Sequence, residues 1–344
     1  MAGVSAKISS LSPDDRQRMR DAGLGWVRSE IHGLDLARFV RGEKQPESFY
    51  QARQRIAELR RNGFQVMALT PGPREMSATG DEPGSPEYYA NFRRLCTFLG
   101  QEFKGLIDYW QIANELDIWI FRDTLDLDQS VEFLKAGLRG MRDAGKDLKI
   151  GVNITLFPSR PGEVDGNTDR HEGEFIAKAI FQDPSLDLDY AGFDSYPGTC
   201  RKGGADSWDE YLDAFHNLVQ KPVIVQEYGY SSAGEIMTEE ENRSGIYPCQ
   251  LKKWRYGWKG AHSPEVQADF VTESLQVFSR KPYVIGATYY AWKDSPTCWE
   301  CGSADCPIQT AFGLLDCQGN LKPSYQSLKT GLKTYFKGRL GDAE

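Results

Sequence analysis

The sequence predicts an α/β protein, a closed (β/α)8 TIM barrel formed by a single domain, 1–344. Three observations point there. Short β-branched or apolar runs that end in polar residues recur along the chain, helical patterns separate them, and no composition break, repeat or low-complexity tract divides it. An open doubly wound sheet is the rival, but no G-x-G-x-x-G follows the first strand to mark a nucleotide site.

The candidate strands, in order, are "VSAKIS" (4–9, the most weakly marked), "GWVRSEI" (25–31), "FQVMALT" (64–70), "DYWQIAN" (108–114), "LKIGVNIT" (148–155), "DYAGFDSY" (189–196), "PVIVQEYG" (222–229) and "VIGATYYAW" (284–292). Between them, segments such as "PESFYQARQRIAELRRNG" and "SVEFLKAGLRGMRDAG" repeat apolar residues at three- and four-residue spacing. They close on Gly63 and Gly145, the residue type that accepts a left-handed C-cap. The longest irregular stretches follow the seventh strand, from about Ser231 to Ser263, and the eighth. In a barrel the loops after the strands build the active-site face, so their Trp254, Trp258 and Trp299 are expected near a site.

Composition narrows the partners. With 40% hydrophobic and 12% aromatic residues the chain is globular, and no apolar run approaches the roughly 18 residues that cross a bilayer. A net charge of -8 argues against nucleic-acid binding, which draws on clustered Lys and Arg. The start, "MAGVSAKISS", lacks the basic flank and apolar segment of a signal peptide. Either the protein is cytoplasmic, or it is secreted or periplasmic with its leader already removed. Cysteine usage favours the second. Cys96 lies in a helical pattern, whereas Cys200, Cys249, Cys298, Cys301, Cys306 and Cys317 lie in polar, Gly-rich or Pro-rich stretches and could pair as three disulfides. The alternatives are zinc, held by the thiols of "CWECGSADC" together with Cys317, and fully reduced thiols. The histidines, His32, His171, His216 and His262, show no metal-ligand spacing, so no catalytic metal is expected. His32, just past the second strand, can reach the rim.

Alternation puts Val223, Val225 and Glu227 on one face of the seventh strand, and the fourth strand closes on Asn114 and Glu115. Any single strand-end Glu is most simply a salt-bridged or solvated residue. Two change that weighting, because strands four and seven lie across a barrel and both carboxyl groups emerge at one rim. Paired carboxyls suit glycosidic cleavage, one as proton donor and the other as nucleophile or stabiliser. Asn114 adds an uncharged amide for a sugar hydroxyl.

"WQIANE" on the fourth strand and "VIVQEYG" on the seventh resemble the clan of retaining glycoside hydrolases with a (β/α)8 barrel, clan A or the 4/7 superfamily. The resemblance spans all eight units and leaves the family within the clan unassigned. It implies Glu115 as acid/base and Glu227 as nucleophile. It further implies Arg28 beside the nucleophile, Tyr196 as a hydroxyl contacting it, and Trp292 as a stacking floor for the sugar. Asp194 stands where several families carry a His. The expected activity is cleavage of a β-linked oligo- or polysaccharide without a cofactor. The alternatives are a catalytically inactive carbohydrate-binding barrel and a transglycosylase using the same glutamates. The expected partner is a carbohydrate, met by Asn114, Arg28, Tyr196, Trp292, His32 and Trp299, with no nucleic acid or membrane, and the chain is expected to act as a monomer. The "LKKWRYGWKG" segment, 251–260, interleaves cations with aromatics and is a candidate for receiving an acidic polysaccharide.

Overall fold

The computed structural model describes residues 1–155, 157–158 and 171–336. The strands, in chain order, are β1 (Ala2–Ser5), β2 (Trp26–Glu30), β3 (Gln65–Leu69), β4 (Tyr109–Gln111), β5 (Lys149–Gly151), β6 (Asn153–Ile154), β7 (Ala191–Ser195) and β8 (Val223–Tyr228). A small ribbon, β9 (Glu235–Ile236) with β10 (Lys253–Trp254), precedes β11 (Val284–Tyr289). Nine strands form one parallel sheet in the order β5-β4-β3-β2-β1-β11-β8-β7-β6. Its two ends, β5 and β6, are separated in the chain only by Val152, so the sheet closes into a barrel of eight units. In that count β8 is the seventh strand and β11 the eighth.

The wall has two apolar sides. Val27, Phe193, Val223 and Val225 join the large core beneath the outer helices, while Met67, Tyr190 and Ile224 form a separate small core with Met1 and Tyr109. Alternate residues of each strand feed the two, as a closed sheet wrapped in helices requires. The helices begin on side-chain caps: Ser85 accepts from the Tyr88 amide before Pro86–Glu102, and Asp126 with Gln129 forms a capping box before Leu127–Ala144. No helix among the described residues is long and apolar enough to cross a membrane.

Three sequence expectations shift. The first strand starts at Ala2 and ends at Ser5, with a 3-10 turn over Ile8–Ser10 where the strand was expected to continue. The eighth ends at Tyr289, three residues early. Gly63 adopts the left-handed conformation after its helix at φ +84°, but Gly145, at φ 176°, is extended and needs no glycine for that reason.

Candidate active site

Arg28 stands at the centre of the C-terminal rim. It is 5% exposed, and its fork reaches two other strands: Nε donates to Gln111 on β4 at 2.9 Å, Nη2 to Asn114 Oδ1 just past β4 at 2.9 Å, and Nη1 to Glu227 Oε1 on β8. A buried guanidinium is costly unless its donors are used, and here they fix the two ends of the barrel mouth to each other. Burial alone would weaken its proton affinity. The charges of Glu227 and Asp194 overcome that and hold it protonated.

The chain leaves β4 through two non-glycine residues in the left-handed region, Ala113 at φ 54° and Glu115 at φ 48°. Each costs on the order of 1 kcal/mol and is kept there by its surroundings. Thr70 Oγ1 accepts from the Ala113 amide and Asn153 Oδ1 from the Glu115 amide, both at 2.9 Å. The Glu115 side chain then receives Thr155 Oγ1 at 2.7 Å and Asn114 Nδ2 at 3.2 Å. Burial, followed by the nearby charges of Glu227 and Asp194, pushes its carboxyl well above the ordinary range.

Glu227 arrives by a route that strict alternation does not anticipate. Ile224 belongs to the small interior core and Val223 and Val225 to the outer one, so a regular β8 would aim Glu227 outward. The register against β7 instead slips between Phe193↔Val225 and Asp194↔Glu227, skipping Gln226. This bulge turns Glu227 to the same side as Asp194, a re-aiming for which bulges beside active sites are known. Gln226 is itself fully buried and donates to the Tyr190 hydroxyl at 3.1 Å. Glu227 Oε2 accepts from the Tyr196 hydroxyl, and Tyr290 meets Tyr196 edge to face at 6.0 Å between ring centres. Burial raises both phenols, with Glu227 the next cause in each, so both stay neutral.

Glu115, Asp194 and Glu227 each offer a carboxyl oxygen within 4.8 Å of the other two. Asp194 accepts from Asn153 Nδ2 at 2.6 Å, its other oxygen has no hydrogen-bond partner, and burial followed by the Glu227 charge lifts it well above the ordinary range. The three oxygens are close enough to hold a cation, but Arg28 already supplies the positive charge beside Glu227. Asn153, Thr155, Gln111 and Tyr290 carry no role in the sequence pattern, and Asp194 enters it only as the residue standing where several families carry a His. Asn153 links Asn114, Asp194 and the Glu115 amide, and its only sequence signal was an Asn at the end of the fifth strand.

The structure thus gathers Arg28, Asn114, Glu115, Tyr196 and Glu227 at one point. Two expected residues stand elsewhere. Trp292 is 3% exposed, donates its indole N–H to Asp15 at 2.9 Å and packs on Tyr325, so it offers no open floor; because β11 ends early, Tyr290 is the aromatic that reaches the carboxyls. His32 lines a small separate cavity of about 150 Å³ with Ile8, Glu30 and Arg55, bordered by neither Glu115 nor Glu227. Trp299 is half exposed, its ring beside Phe121 at 6.2 Å between ring centres. Trp254 is buried with its N–H on the Ala233 carbonyl, and Trp258 packs on Tyr230 and Phe270, so both serve the loop itself.

The basic segment is also spent internally. Lys252 pairs with Asp305, Lys253 with Glu241, Lys259 with Asp269 and Glu273, and Arg255 donates to Asn242. No disulfide forms among the described cysteines, against the pairing expected of the six loop thiols. Cys249, Cys298, Cys301 and Cys306 converge with their sulfurs within 4.8 Å of one another, a fourfold cluster instead of separate pairs. Cys317 lies apart near the Asp294 carbonyl, and Cys200 packs against the same small core as the cluster without joining it.

No family model matches the sequence, and no curated protein matches it either. Solved structures do resemble it. A family 39 glycoside hydrolase from Bacteroides cellulosilyticus WH2 superimposes with a TM-score of 0.64 at 15% identity, over 97% of this chain and 63% of its own. A beta-glucuronidase from an uncultured Clostridium sp. gives 0.59 at 16% identity over 92% of this chain, and the GH2 beta-galacturonidase from Eisenbergiella tayi bound to galacturonate gives 0.60 at 13% over 96%. The chain spans 45% and 51% of the lengths of those last two. At these identities the likeness is one of fold: the chain has the barrel fold that GH2 and family 39 glycoside hydrolases share.

Proposed function

We propose that the chain is a retaining glycoside hydrolase acting on a β-linked saccharide, with Glu227 as nucleophile and Glu115 as acid/base. One observation carries this: carboxyl oxygens of Glu115 and Glu227 lie within 4.8 Å of each other. Retaining enzymes keep their two carboxyl groups about 5–5.5 Å apart, whereas inverting ones need about 6.5–9.5 Å to admit a water between them. The surroundings support the division of roles. Glu227 has a cation on one oxygen and a phenol on the other, which fixes the direction of its remaining lone pairs. Burial, followed by the neighbouring carboxyls, raises the proton affinity of Glu115, which suits it to donate.

In the first step a Glu227 oxygen attacks the anomeric carbon, the bond to the leaving oxygen breaks, and the Glu115 proton passes to that oxygen. In the second, Glu115 takes a proton from water as the water oxygen attacks the same carbon and releases Glu227. Two inversions give net retention. The test is hydrolysis of aryl β-glycosides, with galactosides, glucuronides and galacturonides chosen from the names of the fold relatives, read by NMR of the first anomer formed. We expect the β-anomer first. Glu227→Gln should lose at least about 10³-fold in turnover while still binding sugar by calorimetry, and Glu115→Ala should regain rate with azide, as a missing general acid worth roughly 10²–10⁴-fold predicts. An α-anomer first, or a Glu227→Gln variant with full activity, refutes the assignment. A carbohydrate-binding barrel would bind and cleave none, and a transglycosylase would divert product to added acceptor.

A further inference from the structure

We infer that Cys249, Cys298, Cys301 and Cys306 form a mononuclear tetrathiolate zinc site that clamps the loop after β8 to the loop after β8's neighbour β11, at the mouth of the barrel. The inference stands on the sulfur geometry and needs no assumption about the reaction. Zinc binds thiolate at about 2.3 Å in a tetrahedron, which sets neighbouring sulfurs about 3.8 Å apart. Cys249 Sγ lies 3.8 Å from Cys298 Sγ, and all four sulfurs fall within 4.8 Å of one another. That span fits one ion. A cubane iron–sulfur cluster carries its four cysteines on four separate metals and needs wider spacing.

The backbone around the sulfurs is arranged as thiolate ligands require. In C-x2-C-x4-C the chain turns after Cys298, with the Gly302 amide on the Cys298 carbonyl at 2.7 Å and Gly302 at φ +74°. Cys249, Cys298 and Cys306 are buried and Cys301 is exposed, so the fourth ligand forms the outer lip. Lys252, just past Cys249, pairs with Asp305, just before Cys306, and joins the same two loops by charge. Four thiolates and one Zn²⁺ leave a net charge of about -2, and Lys252, paired with Asp305, is the cation beside it.

The clamp has a structural consequence at the mouth. Trp299 sits between two ligands, in Cys298-Trp299-Glu300-Cys301, and stands beside Phe121. Tyr247, two residues before Cys249, donates its hydroxyl to Glu300 at 2.6 Å. The metal would therefore fix the stretch of loop that carries Trp299 beside Phe121.

The test is made on the full chain, expressed with zinc supplied and purified without chelator. Elemental analysis should give about one zinc per chain, released by a mercurial and detected by a zinc dye. Cobalt reconstitution should give the visible bands and sulfur-to-metal charge transfer of a tetrahedral tetrathiolate. Cys301→Ser, at the exposed lip, should lower zinc occupancy or affinity at least about tenfold, while Cys317→Ser should keep it. Peptide mapping of the unreduced wild-type chain gives an answer even where a variant fails to fold. Metal-free protein with the four cysteines linked in pairs, iron in place of zinc, or full zinc retention in Cys301→Ser would each overturn the assignment.

Discussion

Arg28 is the residue on which the candidate site converges, and it is not interchangeable with lysine. Its planar fork satisfies Gln111, Asn114 and Glu227 together, which a single ammonium cannot do. Arg28→Met leaves the buried Glu227 carboxyl without its counter-charge and Gln111 Oε1 without its donor, although Tyr196 still donates to Glu227 and Asn153 to Asn114. Breaking a buried pair in this way costs roughly 3–5 kcal/mol. Denaturant unfolding should show that loss for Arg28→Met and a smaller one when Glu227→Gln is added, because the orphaned charge then disappears. Equal losses in the single and double variants would mean that the ion pair is not the source of the cost. Both glutamates were legible in the sequence because an Asn-Glu and a Glu closed two apolar runs at the correct ordinal positions. The donors Thr155 and Asn153 and the partner Asp194 were not, since nothing in a local run shows which side chains meet across three strands.

At the scale of elements, the barrel was readable from its alternation, and the errors fall where local backbone departs from regular strand. The pattern Val223, Val225, Glu227 looked like one face, yet the bulge at Gln226 separates the valines from the glutamate. Trp292 looked like the end of the eighth strand, yet β11 stops at Tyr289 and Tyr290 takes the inner position. The cysteine cluster was hidden for a different reason: Cys249 lies 49 residues before Cys298, and only the folded loops bring the sulfurs together. The bulge has a dedicated accommodation. A Cβ at Gly192 on β7 would stand 2.0 Å from Gln226 Oε1 and 2.9 Å from Asn153 Cβ. Gly192→Ala should therefore push on the bulged residue and on the asparagine that positions Glu115. Overpacking of this kind costs about 1–3 kcal/mol. We expect a lower melting temperature together with reduced turnover, and a variant with both unchanged would show that Gln226 can swing aside freely.

For the whole molecule, the carboxyl cluster sets how stability follows pH. Glu115 and Asp194 both sit well above their ordinary values, burial being the first cause and the Glu227 charge the second. In the unfolded chain they titrate near pH 4, so above that the unfolded state has released protons that the folded state still holds. Stability then falls as pH rises, because the slope takes the sign of protons bound unfolded minus folded. The contribution is fully present below about pH 4 and is lost progressively as pH climbs through the raised folded values. Salt-bridged carboxyls such as Asp189, held low by Lys149 and Arg142, act in the opposite sense and lose their contribution in acid. The two sets should leave a stability maximum on the mildly acidic side, with a decline toward alkaline pH that belongs to the cluster. Glu115→Gln and Asp194→Asn remove the titration while keeping shape, so each should flatten the alkaline decline in melting temperature measured from pH 5 to pH 9. Activity should follow the same group from the other direction, since a protonated Glu115 is needed for the first step and kcat/KM should fall as pH passes its folded value. Variants whose melting temperatures decline as steeply as the parent's would show that Glu115 and Asp194 ionise as ordinary surface carboxyls do, and would remove the electrostatic basis for giving Glu115 the proton.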